Sequence, residues 1–211
     1  AFYYPDRGNN DYQLRITDKN GQFIKELLPV DPKSKVLHGL GQNFYVYDGK
    51  LNVFPHFSNT IFSITPDSTT QRYHFYFGDY HFPDDEIFQK KEYNSQAIMS
   101  EIMNNSYVRL MAPYETDEHL LVKYYVKRQV LLGIYNKKKH TAINLDPEMV
   151  IDSLHLGTFP VPIGFNHNEF IGQLTLDIQQ KNRIMIPELQ KLMADYSEDS
   201  NPILIFYSLR S

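Results

Sequence analysis

The sequence predicts an all-β fold of β-propeller blades, each a four-stranded antiparallel meander, with short inserted helices. Three observations support this fold class: 16 Tyr and 14 Phe among 211 residues, 12 Pro and 10 Gly along the chain, and short strand-like segments in groups of four. Aromatic residues favour the pleated, half-buried surface of a sheet, whereas Pro and Gly favour turns. A hydrophobic content of 42% is enough to build a core.

The clearest meander is predicted at residues 44–77. Strands at 44–47 and 51–54 flank Asp48-Gly49, a pair that favours a two-residue hairpin because both central positions of a type I′ turn need positive φ. A third strand is expected at 60–64 and a fourth at 71–77. Four consecutive strands with short connections make one blade.

A second meander is predicted at residues 107–145, and an incomplete copy is expected on either side of the two meanders. The predicted strands of the second meander are 106–111, 119–126, 129–135 and 140–145, and Lys137–Lys139 is read as a solvated hairpin tip. The incomplete copies are expected at 12–17 with 22–28, and at 154–156 with 169–176 and 203–209. Together these segments make about four blades.

Two insertions are predicted to be amphipathic helices that lie over blade edges. The first begins at Pro83, which suits a first helical position, and is followed by acids that the helix dipole favours; it carries Ile98 and Ile102. The second begins near Pro187. Its apolar stripe is Leu189, Leu192, Met193 and Tyr196.

Composition narrows the function classes. The chain has no Cys, which excludes disulfides, thiolate zinc sites and thiol catalysis. A net charge of -4 and a pI near 6.1 do not favour nucleic-acid binding. No apolar stretch approaches the roughly 20 residues of a membrane-spanning helix, so no such segment is expected.

Motifs for catalysis or metal binding are not found. No two of the eight His have the i, i+4 spacing of a zinc helix, and no nucleophile elbow, P-loop or dinucleotide fingerprint occurs. Asp6, Asn9, Asn10 and Asp11 could hold Ca²⁺, but they lack the EF-hand spacing and are read as a polar turn. We therefore predict no catalytic residue, no metal site and no cofactor.

The abundance of Tyr is the remaining functional signal. Exposed Tyr rings can stack on a ligand or become buried at an interface, because they join an apolar body to a polar tip. Tyr80, in Gly78-Asp79-Tyr80-His81, is the candidate ligand contact. The alternative is that Tyr80 packs beneath the helix that follows it.

Three segments resemble the six-bladed β-propeller family of uncharacterised exported proteins and lipoproteins of Bacteroidetes. They are residues 12–21 (YQLRITDKNG), 75–83 (FYFGDYHFP) and 201–209 (NPILIFYSL). The resemblance implies that residues 1–211 are one β-propeller domain or the C-terminal part of one, with about four of six blades. It also implies export to the periplasm or anchoring to the outer membrane as a lipoprotein, and the family offers no catalytic signature.

These observations predict a non-enzymatic binding or interaction scaffold of the bacterial cell envelope, with a protein or glycan as ligand. A propeller hydrolase or lyase that acts on a carbohydrate in the central channel is the alternative. A structural component of a larger envelope complex is a third hypothesis. Titratable groups on the innermost strands would favour the enzyme, whereas the predicted innermost strands are aromatic and aliphatic.

Overall fold

The computed structural model describes residues 2–3, 12–29, 44–54, 58–81, 106–127, 129–147, 159–174 and 201–209, with isolated positions at 96, 100, 104, 187 and 191. In this part of the chain, fourteen strands form four sheets, here named A to D. Two of the sheets have four strands and two have three. The fold is nearly all-β, and every strand pairing with a recorded register is antiparallel.

The strands of each sheet follow one another in the sequence. Sheet A contains β1 (Phe2–Tyr3), β2 (Tyr12–Thr17) and β3 (Phe23–Pro29), and sheet B contains β4 (Phe44–Tyr47), β5 (Lys50–Val53), β6 (Thr60–Ile64) and β7 (Thr69–His74). Sheet C contains β8 (Arg109–Glu115), β9 (His119–Val126), β10 (Gln129–Asn136) and β11 (Thr141–Leu145). Sheet D contains β12 (Pro162–Phe165), β13 (Phe170–Leu174) and β14 (Ile203–Tyr207).

The chain divides into two compact units. The first is Ala1–Leu110 with Tyr125–Gln129, and the second is Met111–Tyr124 with Val130–Ser211. The core of the first unit consists of aliphatic and aromatic residues from sheets A and B. Its buried members are Leu14, Ile16, Leu27, Leu28, Val53 and Ile64, with Phe44, Leu51 and Phe62 packed against them.

The predicted hairpin in sheet B is confirmed. Asp48 has φ 51° and Gly49 has φ 66°, which are the positive values that a type I′ turn requires. The fourth strand differs from the prediction, because it ends at His74 rather than at residue 77. The amide of Phe75 still bonds to the carbonyl of Asn59 at 2.8 Å, but Gly78 then takes φ 57° and turns the chain.

The first strand of sheet C was predicted at 106–111 but runs from Arg109 to Glu115. Ser106 has φ 59°, which is incompatible with a strand, so β8 begins later. Pro113 lies inside β8. A proline is tolerated there because β8 is an edge strand of sheet C, and only a central strand needs hydrogen bonds on both of its sides.

The core of the second unit joins residues of sheets C and D. Its buried members are Leu121, Leu132, Ile134 and Phe170. The Tyr207 hydroxyl donates to the Pro160 carbonyl at 2.6 Å, and burial raises the pKa of this phenol. Gly172 allows the backbone of β13 to lie close to Pro160, since a Cβ added at this position would lie 2.9 Å from the Cβ of Pro160.

Helical backbone occurs at Gln96, Ser100 and Asn104, and again at Pro187 and Lys191, all within the two predicted insertions. Outside the described residues lie the start of the first predicted helix, both apolar stripes, the Asp6–Asp11 turn and the 154–156 strand. Among the described residues, no helix combines the length and the apolar character needed to cross a bilayer.

Candidate functional site

The segment after β7 carries two exposed aromatic side chains, Tyr76 and Tyr80, near polar groups. A short 3₁₀ helix at Gly78–Tyr80 shapes it, closed by bonds from Tyr80 N to Phe77 O at 3.2 Å and from His81 N to Gly78 O at 3.0 Å. The rings of Phe75 and Phe77 stack with centroids 6.2 Å apart. These local contacts hold the segment in one conformation.

Two histidines and a tyrosine meet at this segment. The ring centroids of His74 and His81 are 5.8 Å apart, and those of Tyr76 and His81 are 5.5 Å apart. Tyr76 is 80% exposed, so one face of a supported aromatic ring is presented to solvent. We refer to Asn59, Thr60, His74, Tyr76 and His81 as the histidine–tyrosine cluster.

Asn59, which precedes β6, and Thr60, its first residue, form hydrogen bonds to the two imidazoles. Thr60 Oγ1 lies 2.9 Å from Nδ1 of His74, and Asn59 Nδ2 lies 3.1 Å from Nε2 of His81. Asn59 and Thr60 are buried, with 4% and 9% of their surfaces exposed. Fixed side chains therefore orient both rings.

Tyr80, the residue singled out by the sequence, forms a pair with Lys127. The Lys127 ammonium lies 4.2 Å from the centre of the Tyr80 ring and also donates to the Tyr80 hydroxyl. The Tyr80 carbonyl accepts a bond from the amide of Val108 at 2.8 Å, which holds the backbone. Tyr80 keeps 38% of its surface exposed, so it remains available to a ligand.

The second unit contains a different polar cluster, made by the turn after β8 and the end of β10. The fully buried carboxylate of Glu115 pairs with Lys137 Nζ at 2.7 Å, and the same ammonium donates to the Thr116 carbonyl at 2.6 Å. Buried His119 lies beside Asn136, with Nε2 and Nδ2 3.1 Å apart. We call Glu115, Thr116, His119, Asn136 and Lys137 the turn cluster.

The turn cluster is closed to solvent. Glu115, Thr116 and His119 are each no more than 4% exposed. Burial lowers the pKa of His119, and Lys137 lowers it further against the opposing effect of Glu118. These groups satisfy one another, so they hold two turns together and present no free acid or base to a substrate.

The remaining histidines belong to neither cluster or lie outside the described residues. His140 Nδ1 is 2.9 Å from the Tyr135 hydroxyl, and exposed His167 lies 3.7 Å from Asp117. His38, His56 and His155 are not among the described residues. Within the described ranges, no three His, Asp or Glu side chains come together in a way that could hold a metal ion.

Sequence reasoning proposed Tyr80 as a ligand contact but did not predict the residues that lie around it. Lys127, Asn59 and Thr60 were not singled out. His74 and His81 were considered separately, as a strand residue and a loop residue. No spacing rule predicts their proximity, because the fold brings β6, β7 and the 3₁₀ helix together.

The family model for a domain of unknown function, DUF4934, matches residues 1–208. The chain belongs to the DUF4934 family. Its fold is similar to the crystal structure of a "putative exported protein" from Bacteroides fragilis, with a TM-score of 0.78 and 20% sequence identity. The match covers 99% of this chain but 61% of that protein, so the chain spans less than two thirds of its length. No curated protein matches the sequence.

Proposed function

We propose that this DUF4934 protein is a non-enzymatic binding scaffold of the bacterial cell envelope. Its contact surface would be formed by Tyr76, Tyr80, His81 and Lys127. The observation that supports this proposal is the 80% exposure of Tyr76 beside the ring of His81, which a part-buried hydrogen bond to Asn59 holds in place. A rigid aromatic ring loses little conformational entropy when it is buried by a partner.

The chemistry of this surface favours a protein ligand. Tyr is enriched at the centres of protein interfaces, where its ring contributes area and its hydroxyl contributes a hydrogen bond. The Lys127 ammonium beside Tyr80 adds positive charge, which suits an acidic group on the partner. The alternative ligand is a glycan that stacks on the ring of Tyr76.

We further propose that the sheets are blades of a β-propeller and that the protein is exported, to the periplasm or to the outer membrane as a lipoprotein. The support for blades is that sheets B and C each have four strands in sequential order, as in a propeller blade. The support for export is the similar fold of the Bacteroides fragilis protein, which is itself described as a "putative exported protein". A propeller presents loops on a rigid frame, which suits recognition.

The carbohydrate-cleaving alternative would need an accessible acid or base. Glu115 and His119 of the turn cluster are both buried, so neither is accessible to a substrate. A glycosidase needs two carboxyl groups that flank the substrate. The described turn cluster contains a single carboxylate, already paired with Lys137, and so favours the scaffold over the enzyme.

The test is affinity capture from the envelope fraction of the bacterium that makes the protein, using wild type, Tyr76→Ala and Val46→Ala. Val46 is 60% exposed in the same unit and serves as a matched control. We expect wild type and Val46→Ala to retain one defined protein that Tyr76→Ala loses. Equal capture by all three variants would contradict the proposed surface, and release of cleaved glycan would indicate the enzyme.

A further inference from the structure

We propose that Lys127 and Arg109 form a carboxylate-binding site that recognises an acidic peptide segment of the protein partner. The inference rests on the proposed contact surface and extends it to Arg109 and Tyr125. Each cation lies over a tyrosine ring. The Lys127 ammonium is 4.2 Å from the centre of the Tyr80 ring. The Arg109 guanidinium carbon is 5.5 Å from the centre of the Tyr125 ring.

A closed series of contacts places the two cations in one part of the surface. Lys127 donates to the Tyr80 hydroxyl, and the Tyr80 carbonyl accepts a bond from the amide of Val108 at 2.8 Å. Arg109 follows Val108 in the sequence. It lies over Tyr125, which is two residues before Lys127. All five residues belong to the first compact unit, and we refer to them as the cation–tyrosine group.

The backbone of Lys127 points to a role for its side chain. The connection between β9 and β10 has only two residues, because β9 ends at Val126 and β10 begins at Gln129. A connection of this length favours Gly, Asn or Asp where φ is positive, yet Lys127 has φ 49°. Unfavourable backbone conformations of this kind cluster at ligand-binding sites. The contact with Tyr80 gives the lysine a use that a glycine could not supply.

Neither cation is neutralised within the part of the chain that the structure describes. There, no carboxylate forms an ion pair with Lys127 or with Arg109. Asp79, which precedes Tyr80, is exposed but pairs with neither of them. Because complementary charge steers and aligns partners, this group favours an anionic ligand.

Both cations have hydrogen-bond donors to offer and solvent access. The Arg109 guanidinium has no acceptor among the described residues, and none of its nitrogens is a buried atom without a partner, so they face solvent. Its planar fork of N–H groups matches the two oxygens of a carboxylate. The exposed Lys127 ammonium uses one of its three donors on Tyr80 and keeps two.

The combination of charge and aromatic surface favours a peptide. Two cations suit a ligand with more than one carboxylate, because each can form its own charge-assisted hydrogen bond. An acidic peptide also carries apolar atoms that can cover the exposed part of the Tyr80 ring, which amounts to 38%. The Tyr80 hydroxyl accepts from Lys127 and can still donate its own proton to a carboxylate.

The test is the binding of a fluorescent hexaglutamate peptide, measured by fluorescence anisotropy at low ionic strength. Wild type should bind saturably, and added salt should weaken the binding because ions screen exposed charges. Arg109→Gln and Lys127→Gly should each weaken it about tenfold, the effect of losing one charge-assisted hydrogen bond. Glycine suits the left-handed backbone at position 127, so Lys127→Gly should keep the wild-type thermal midpoint. This variant keeps the test valid if Arg109→Gln does not fold.

Lys19→Gln is the matched control, because Lys19 is an exposed lysine of the same compact unit. It should retain the wild-type affinity, and equal weakening by Lys19→Gln would overturn the proposal by showing non-specific attraction. Absence of saturable binding by wild type would overturn it, as would wild-type affinity in Lys127→Gly. A carboxylated glycan, oligogalacturonate, is titrated in parallel. Binding of this glycan without binding of hexaglutamate would overturn the assignment of a peptide.

The failure of this inference can be distinguished from the failure of the proposed function. Loss of the captured partner in Tyr76→Ala, together with no binding of hexaglutamate, would reject the carboxylate site and support the contact surface. Saturable hexaglutamate binding that depends on Lys127 and Arg109, together with equal capture by all variants, would reject the Tyr76 surface and support the carboxylate site.

Discussion

Asn136 determines which nitrogen of His119 carries the proton. The Asn136 Oδ1 atom accepts bonds from the backbone amides of Lys138 at 3.0 Å and Lys139 at 2.8 Å, so the NH₂ group faces His119 Nε2 at 3.1 Å. The imidazole must accept this bond, which places its proton on Nδ1. Burial, and to a lesser extent the Lys137 charge, lower the pKa of His119 against the opposing effect of Glu118. A donor that faces Nε2 likewise disfavours the protonated ring.

This arrangement predicts a loss of stability in mild acid. In the folded state the lowered pKa keeps His119 neutral to a lower pH than in the unfolded chain, where it takes up a proton as the pH falls below its ordinary pKa of about 6.5. The unfolded state then binds more protons, so the free energy of unfolding decreases with falling pH. Urea unfolding at pH 7.5 and at pH 5.5 should show a larger decrease for wild type than for His119→Gln.

Asn136→Asp provides the matched control. A carboxylate can still accept the two backbone amides, but it would also accept a proton from His119 and favour the charged ring. Titration of the His119 ring by NMR should therefore give a higher pKa in Asn136→Asp than in wild type. An unchanged or lower pKa would contradict the assigned hydrogen bond.

The buried Glu115–Lys137 pair predicts strong coupling between the two residues. Lys137→Met leaves a fully buried carboxylate without its cation and should destabilise the protein by about 3 kcal/mol, since breaking such pairs costs about 3–5 kcal/mol and Lys137 keeps some exposure. The double variant Glu115→Leu with Lys137→Met should recover much of this loss. Chemical unfolding of the single and double variants measures the coupling, and additive effects would show that the pair is unimportant.

Sheet D offers two Phe residues in different environments. Phe170 is 1% exposed in the second core and Phe206 is 56% exposed on the neighbouring strand. Phe170→Ala should destabilise the protein by about 3–5 kcal/mol through lost burial and a cavity. Phe206→Ala should cost about 1 kcal/mol or less. Similar losses of thermal stability in both variants would contradict the assigned faces of the sheet.

The hairpin of sheet B gives a test of backbone conformation alone. An added Cβ at Gly49 would meet no atom within 4 Å, so any cost of Gly49→Ala arises from its φ of 66° and should be about 1–2 kcal/mol. Gly133→Ala is the control, because its Cβ would make only an ordinary contact 3.6 Å from Tyr124. A loss for Gly133→Ala as large as that for Gly49→Ala would argue against the type I′ turn.

Local chemistry explains which parts of the fold could be predicted from the sequence. The Asp48-Gly49 turn follows from φ preferences within two residues, and β6 and β9 have the predicted bounds because polar residues flank both apolar segments. By contrast, β12 was not predicted, since Pro162 and Gly164 interrupt the pattern that marks a strand. Only pairing with β13 shows that these residues are extended.

The candidate site was predicted less completely, because its contacts join distant parts of the chain. Tyr80 could be proposed from its aromatic neighbours, but the residue that packs on it, Lys127, is 47 positions away. Asn59 and His81 are 22 positions apart. Such pairs follow from the order of strands in the sheets, which no local spacing reveals.

The most direct test of the proposed contact surface is photo-crosslinking in the bacterium that makes the protein. A photoreactive amino acid is placed at Tyr76 or Tyr80, and at the control positions Val46 and Ile143, which are 60% and 59% exposed. We expect a covalent adduct of one defined mass at positions 76 and 80 and none at 46 or 143. Adducts that form equally at all four positions, or only at the controls, would contradict the assignment of this surface.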